Sequence, residues 1–416
     1  MEELAAVGLA VPEVLLPARG VDLARWAVVA CDQYTSEPEY WKAREESVGA
    51  APSTLRLILP EVWLGASDED ARVSAIQASM REYLARGVFA PALRGFVLVD
   101  RATPHVASRL GLLVALDLER YDWRRGARAL VRATEATVEE RLPPRMRVRR
   151  NAALELPHVL VLIDDPERTG IEPRAARARG RAPLYDTALE PASGRVRGFG
   201  VADPGEIANV ARALAALARG QDPFLYAVGD GNHSLAAAKQ VWEERKRTLD
   251  PAARATDLAR LALVELVNIH DPGLRFEPIH RLVFGARAES LAAELAALSE
   301  GGPVTHRLSW VAAGRSGEAL LRGPRDSLAL AVFQGALDRW LAAHPAARVD
   351  YIHGDQTLER LAGAPDRVGF RLPVFPREAV FSAVAREGAL PRKTFSLGDA
   401  EEKRFYLEAR RIRAAP

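Results

Sequence analysis

Tyr226-Ala227-Val228-Gly229-Asp230-Gly231-Asn232-His233-Ser234-Leu235-Ala236-Ala237-Ala238-Lys239 is the stretch whose reading decides the fold. Phe224 to Val228 is a short apolar run of the length of a buried strand. Leu235, Ala238, Val241 and Trp242 then recur at helical spacing. The piece between them is therefore a tight strand-to-helix turn. Gly229 and Gly231 permit backbone angles and close approach that a side chain would block. Asn232 or Ser234 can cap the helix. The free N–H groups at a helix start, with their partial positive charge, suit an anion. Asp230 and His233 place an acceptor and a titratable group beside them. An ordinary capped helix with a hydrogen-bonded histidine gives the same pattern, and spacing alone does not separate the two.

Outward from the turn, apolar runs alternate with amphipathic segments. Trp26 to Cys31, His158 to Ile163 and Leu261 to Ile269 read as strands buried on both faces. Further strands are expected at 95–100, 111–117, 184–186, 196–201, 327–333 and 368–372. Helices are expected at 68–87, 126–140, 205–219, 335–343 and 377–388, with another starting near 286. Arg141 to Arg150 reads as a basic, partly extended connection after Pro143-Pro144, and 174–181 as a surface loop. Strands alternating with helices give an α/β or α+β protein with a mixed sheet and flanking helices. Residues 1–300 form the expected core and 301–416 a supporting layer. The carboxyl ends of the strands at 26–31, 158–163 and 261–269 are expected to meet the glycine turn in one cleft, where open α/β sheets place their sites.

Composition narrows the function classes. The chain has 416 residues and a formal net charge of +2, so it is no polycation seeking nucleic acid. The basic segment at 141–150 has no interleaved aromatic residues for stacking on bases. Five lysines stand against fifty-two arginines, which makes Lys239 and Lys393 notable for lying in motif-like segments. A single cysteine, Cys31, allows no intrachain disulfide. No apolar run approaches the roughly 18 residues that span a bilayer, and no signal-peptide pattern opens the chain, so a cytoplasmic location is expected. There is no P-loop, His-Glu-x-x-His helix or Gly-x-Ser-x-Gly elbow.

The turn resembles the Asp-Gly-His-His-Arg-type motif of the family known as domain of unknown function 1015. That motif in turn resembles the phosphate-binding Gly-x-x-Arg turn of the ParB/sulfiredoxin-like nucleotide-binding fold. Cys31-Asp32-Gln33-Tyr34-Thr35-Ser36, Ala51-Pro52-Ser53-Thr54-Leu55, Leu59-Pro60-Glu61, Phe276-Glu277-Pro278-Ile279-His280-Arg281 and Pro391-Arg392-Lys393-Thr394-Phe395-Ser396 are similar to segments of the same family. Ser234 stands where the wider group carries arginine.

The resemblance implies a ParB/sulfiredoxin-like core with large additions, a nucleoside di- or triphosphate, and Mg²⁺. It makes serine the acceptor to consider, through a free-serine kinase of that fold. In this reading Gly229, Gly231, Asn232 and Ser234 hold phosphate, with His280, Arg281 or Lys393 adding donors. Asp230 and Asp32 hold Mg²⁺, Glu172 or Glu277 removes the acceptor's proton, and His233 takes part in the chemistry. The function that follows is a nucleotide-dependent phosphotransferase on a small metabolite. A nucleotide-binding switch without catalysis is the alternative, and nucleic-acid binding comes last.

Overall fold

The glycine turn sits near one side of a large mixed sheet because its strand is apolar on both faces. Tyr226, Ala227 and Val228 are all fully buried. In this computed structural model, residues 2–178, 180–218, 220, 223–299, 301–324 and 327–414 are described. The strand Tyr226–Asp230 pairs antiparallel with Leu160–Ile163 and parallel with Val131–Ala133. The full order is Tyr185–Ala188, Arg195–Val201, Phe96–Ala102, Arg109–Asp117, Leu261–Asn268, Leu160–Ile163, Tyr226–Asp230, Val131–Ala133, Tyr121–Asp122. Leu9–Ala10 adds to Arg109–Asp117.

Strand alternation explains how one sheet feeds two cores. Leu112, Val114 and Leu116 pack in one cluster with Val161, Ile163, Val228 and Val264, beneath the helices Pro204–Leu217 and Asn232–Lys246. Leu113, between them, faces the other way with Val97, Val99 and Leu263. That second face is covered by Trp26, Trp41, Ile76, Met80, Tyr406 and Leu407. Burial on both faces is why these strands read as continuous apolar runs. The mixed sheet with flanking helices is as the sequence implies.

The chain forms two compact units. The first comprises 1–274, 380–388 and 400–416, and the second 275–379 and 389–399. The boundary thus falls at Leu274 and not near residue 300, and the last segment returns to the first unit. The second unit is built on the strand order Arg315–Arg322, Val304–Ala312, Arg367–Phe370, Phe276–Phe284, Arg348–His353, with Phe395–Leu397 pairing to Phe276–Phe284. Its helices Ala288–Leu298 and Ala329–Ala343 bury Leu291, Leu295, Phe333 and Leu337 against that sheet's Trp310, Val368 and Phe370. Among the described residues, no helix is long and apolar enough to cross a membrane.

Several elements differ from the sequence expectation. Trp26 to Ala30 is buried, but only Val28–Val29 is strand, and it pairs with Phe405–Tyr406 outside the main sheet. Residues 126–140 hold the strand Val131–Ala133 where a helix was expected. Leu142–Arg150 is a helix with its prolines at the first turn, the one place where a missing N–H costs nothing. Glu172–Ala178 is a helix, not a loop. Ala329–Ala343 is one helix, so the strand expected at 327–333 is absent.

Candidate functional site

Gly231 closes the central strand in the left-handed region, at φ 78°, and takes the N-cap position of the helix Asn232–Lys246. The N-cap is thus a glycine without a side chain to cap the helix, and not the Asn232 or Ser234 that the sequence suggests. Asn232 Oδ1 is instead buried without a hydrogen-bond partner. Leu235 N donates to Gly231 O, the first bond of the helix, so the amides ahead of it have no carbonyl of their own helix to bond. A β-carbon on Gly231 would lie 3.0 Å from Val159 Cγ2 and 3.1 Å from its Cα. The glycine is therefore required by its neighbour strand as well as by φ. Asp230 Oδ1 accepts from Gly231 N at 2.9 Å, and Asp230 Oδ2 accepts from Lys403 Nζ at 3.0 Å. His233 Nε2 accepts from Val138 N at 3.2 Å.

Beside the first turns of the helix lies a cleft of about 140 Å³. Ser234 lines it together with Cys31, Glu61, Arg145, His158 and Tyr406. Most of its remaining wall is apolar, from Leu57 to Leu59, Met80 and Leu156. Tyr406 Oη accepts from Cys31 N at 3.2 Å and lies 2.8 Å from His158 Nδ1. Glu61 is ion-paired with Arg145. Burial and the neighbouring Asp32 charge outweigh that guanidinium, so the Glu61 carboxyl is raised above its ordinary range. Burial, with Asp32 and Glu61 nearby, also pushes the Cys31 thiol up, which removes it as a nucleophile. Asp32 is thus close enough to act on the cleft through its charge, and it accepts from Gln33 Nε2 at 3.0 Å.

The strand register separates the other carboxylates from this site. Asp230 is level with Leu160, at the amino end of Leu160–Ile163, while Asn268 is level with Ile163 at the opposite end. Glu172 Oε1 accepts from Asn268 Nδ2 at 2.7 Å, so Glu172 belongs to that far end. The carboxyl ends of Leu160–Ile163 and Leu261–Asn268 therefore do not meet the glycine turn, because Tyr226–Asp230 runs against them.

Glu277, His280, Arg281 and Lys393 all belong to the second unit. Arg275 pairs with Glu277 at 2.5 Å. His280 Nδ1 accepts from Leu372 N at 3.1 Å, and burial lowers its pKa. Arg281 is fully buried and donates to Gln334 Oε1 and to the carbonyls of Ile279, Arg392 and Lys393. Its guanidinium is committed to holding the 391–394 turn, which leaves no open fork for a phosphate. Lys393 is exposed, with φ 55°.

The two carboxylates that the sequence offers to Mg²⁺, Asp230 and Asp32, each accept hydrogen bonds in this structure. Both Asp230 oxygens are engaged, one by Lys403, and Asp32 is held by Gln33. The residues that sequence reasoning passes over are Lys403, Glu61, His158, Arg145 and Tyr406. Glu61 ends the quoted Leu59-Pro60-Glu61 piece, and Lys403 is one of only five lysines, so a signal existed for both.

The chain belongs to the family described as protein of unknown function (DUF1015), whose family model matches residues 15–347. No curated protein matches the sequence. Among solved structures, a conserved hypothetical protein from Pyrococcus furiosus is 11% identical over 71% of this chain and 90% of its own, with a TM-score of 0.36. A free serine kinase in complex with AMP is 11% identical over 68% of this chain and 86% of its own, with a TM-score of 0.37. SbnI from Staphylococcus aureus, truncated at its C-terminus, is 10% identical over 68% and 81%, with a TM-score of 0.36.

Proposed function

We propose that this chain is a nucleotide-dependent phosphotransferase acting on a small hydroxyl-bearing metabolite. The observation that carries the reading is the juxtaposition of a helix start on a left-handed glycine with a cleft that holds a carboxyl of raised pKa. The amides of the first helical turn and Lys403 bind the terminal phosphates. Glu61 is the base, replacing the Glu172 and Glu277 of the sequence reading. The acceptor oxygen attacks the terminal phosphorus, its proton passes to Glu61, and the bond to the bridging oxygen breaks, releasing a nucleotide one phosphate shorter. A carboxyl whose pKa is raised is a better base for a hydroxyl than an ordinary one. Serine is the first acceptor to try. Any Mg²⁺ arrives with the nucleotide as its phosphate complex.

Turnover of ATP with serine, and with other small hydroxyl compounds, tests the reading. Glu61→Gln is expected to lower kcat by roughly 10²–10⁴-fold while nucleotide affinity is kept. Equal turnover by Glu61→Gln and wild type would remove Glu61 as the base. Nucleotide binding without any turnover would identify the chain as a non-catalytic switch.

A further inference from the structure

His158 lines the cleft, and the proposed reaction leaves it unused. It is 8% exposed, and its Nε2 is buried with no hydrogen-bond partner. A buried polar atom without a partner is costly, so such atoms point to a ligand or a proton path. Its other nitrogen, Nδ1, is held 2.8 Å from Tyr406 Oη. That oxygen already accepts the Cys31 N–H, and burial raises the Tyr406 pKa, so the phenol keeps its hydrogen. We assign this hydrogen to Nδ1, which would place the imidazole hydrogen on Nε2 and make it a donor. The ring also abuts the glycine turn: Cδ2, bonded to Nε2, lies 3.4 Å from where a β-carbon on Gly231 would stand.

We propose that His158 Nε2–H is the side-chain donor to the phosphate bound at the start of the Asn232–Lys246 helix, supplying what Ser234 cannot. This inference rests on the phosphate-binding reading above and names the residue that completes it. A phosphate oxygen there meets backbone amides from the helix and one imidazole N–H from the neighbouring strand. Tyr406 acts through His158 as a positioning residue, because it fixes which nitrogen carries the hydrogen. A neutral imidazole suffices for this contact, so binding needs no protonation of the ring. Asp230, the acidic group of the same turn, is neutralised by Lys403.

The test uses the full-length protein with ¹⁵N-labelled histidine, His158 being assigned by its loss in His158→Gln. The free protein is expected to show the Nε2–H form at His158, and ADP or inorganic pyrophosphate is expected to shift that Nε2 signal. His158→Leu should bind ADP about tenfold or more weakly, the loss of one hydrogen bond to a charged group. His158→Gln, which retains a donor, should bind within a few-fold of wild type. Tyr406→Phe should release the tautomer preference without removing the ring. An Nδ1–H form in the free protein, or a signal unmoved by ADP that calorimetry shows to bind, would overturn the role of His158 and leave the phosphate site standing. Absence of any nucleotide or pyrophosphate binding to folded wild type would instead remove the phosphate reading, and this inference with it.

Discussion

Gly231 joins two demands at one residue, a left-handed backbone and close contact with Val159. Gly231→Ala is therefore expected to lower stability by about 1–2 kcal/mol from the backbone alone, with the Val159 contact adding to it. Urea unfolding measures this, and an unchanged midpoint would show that the turn relaxes freely. At this scale the sequence shows the turn and its Asp230 but not their partners. Lys403 lies 173 residues from Asp230, and His158 lies 248 residues from Tyr406. Nothing local marks such pairs, because each partner is chosen by the fold. Residues with strong local character misled in the opposite direction: Arg281 looks like a phosphate ligand, yet its donors are taken up by carbonyls of its own unit.

The C-terminal segment is the element that holds the site's second wall. Tyr406 lines the cleft, Arg404 bridges the buried Glu265 and Glu408, and Arg410 pairs with the buried Glu155 at 2.5 Å. Burial alone would raise the Glu155 pKa, but Arg410 and Arg149 outweigh it and hold the carboxyl below its ordinary value. The stabilisation this gives is present above the unfolded carboxylate pKa, about 4.3, and is lost as pH falls through the depressed folded value. Arg410→Leu strands part of that charge and should cost roughly 3–5 kcal/mol at neutral pH. The deficit should shrink on acidification as Glu155 protonates; a constant deficit from neutral pH down to acid unfolding would contradict the pairing. Elements with clean periodicity, such as Pro204–Leu217 and Arg109–Asp117, are legible in the sequence. Leu142–Arg150 is not, because Pro143-Pro144 reads as a break when it stands at a helix start. Val131–Ala133 is not either, since a three-residue strand is too short to show a period.

On the scale of the whole molecule, the first unit is completed by chain from both sides of the second. The mixed sheet is legible from alternating apolar runs, whereas the return of 400–416 to the first unit is not, because the tail's burial depends on long-range ion pairs. Removing residues 400–416 takes away Arg404, Tyr406 and Arg410 together, leaving Glu265 and Glu155 buried without them. The truncated chain is expected to lose cooperative unfolding and to bind hydrophobic dyes, as circular dichroism and dye fluorescence would show; a native-like transition would refute the role given to the tail. The central claim, that the helix start at Gly231 is a nucleotide phosphate site, is tested most directly by calorimetric titration of the folded protein with ATP, ADP, CTP and GTP, each with and without Mg²⁺. The account predicts saturable binding of at least one nucleotide at a single site, weakened roughly ten- to hundredfold in Lys403→Ala. No binding of any of the four under either condition, or equal affinity in Lys403→Ala, would contradict it.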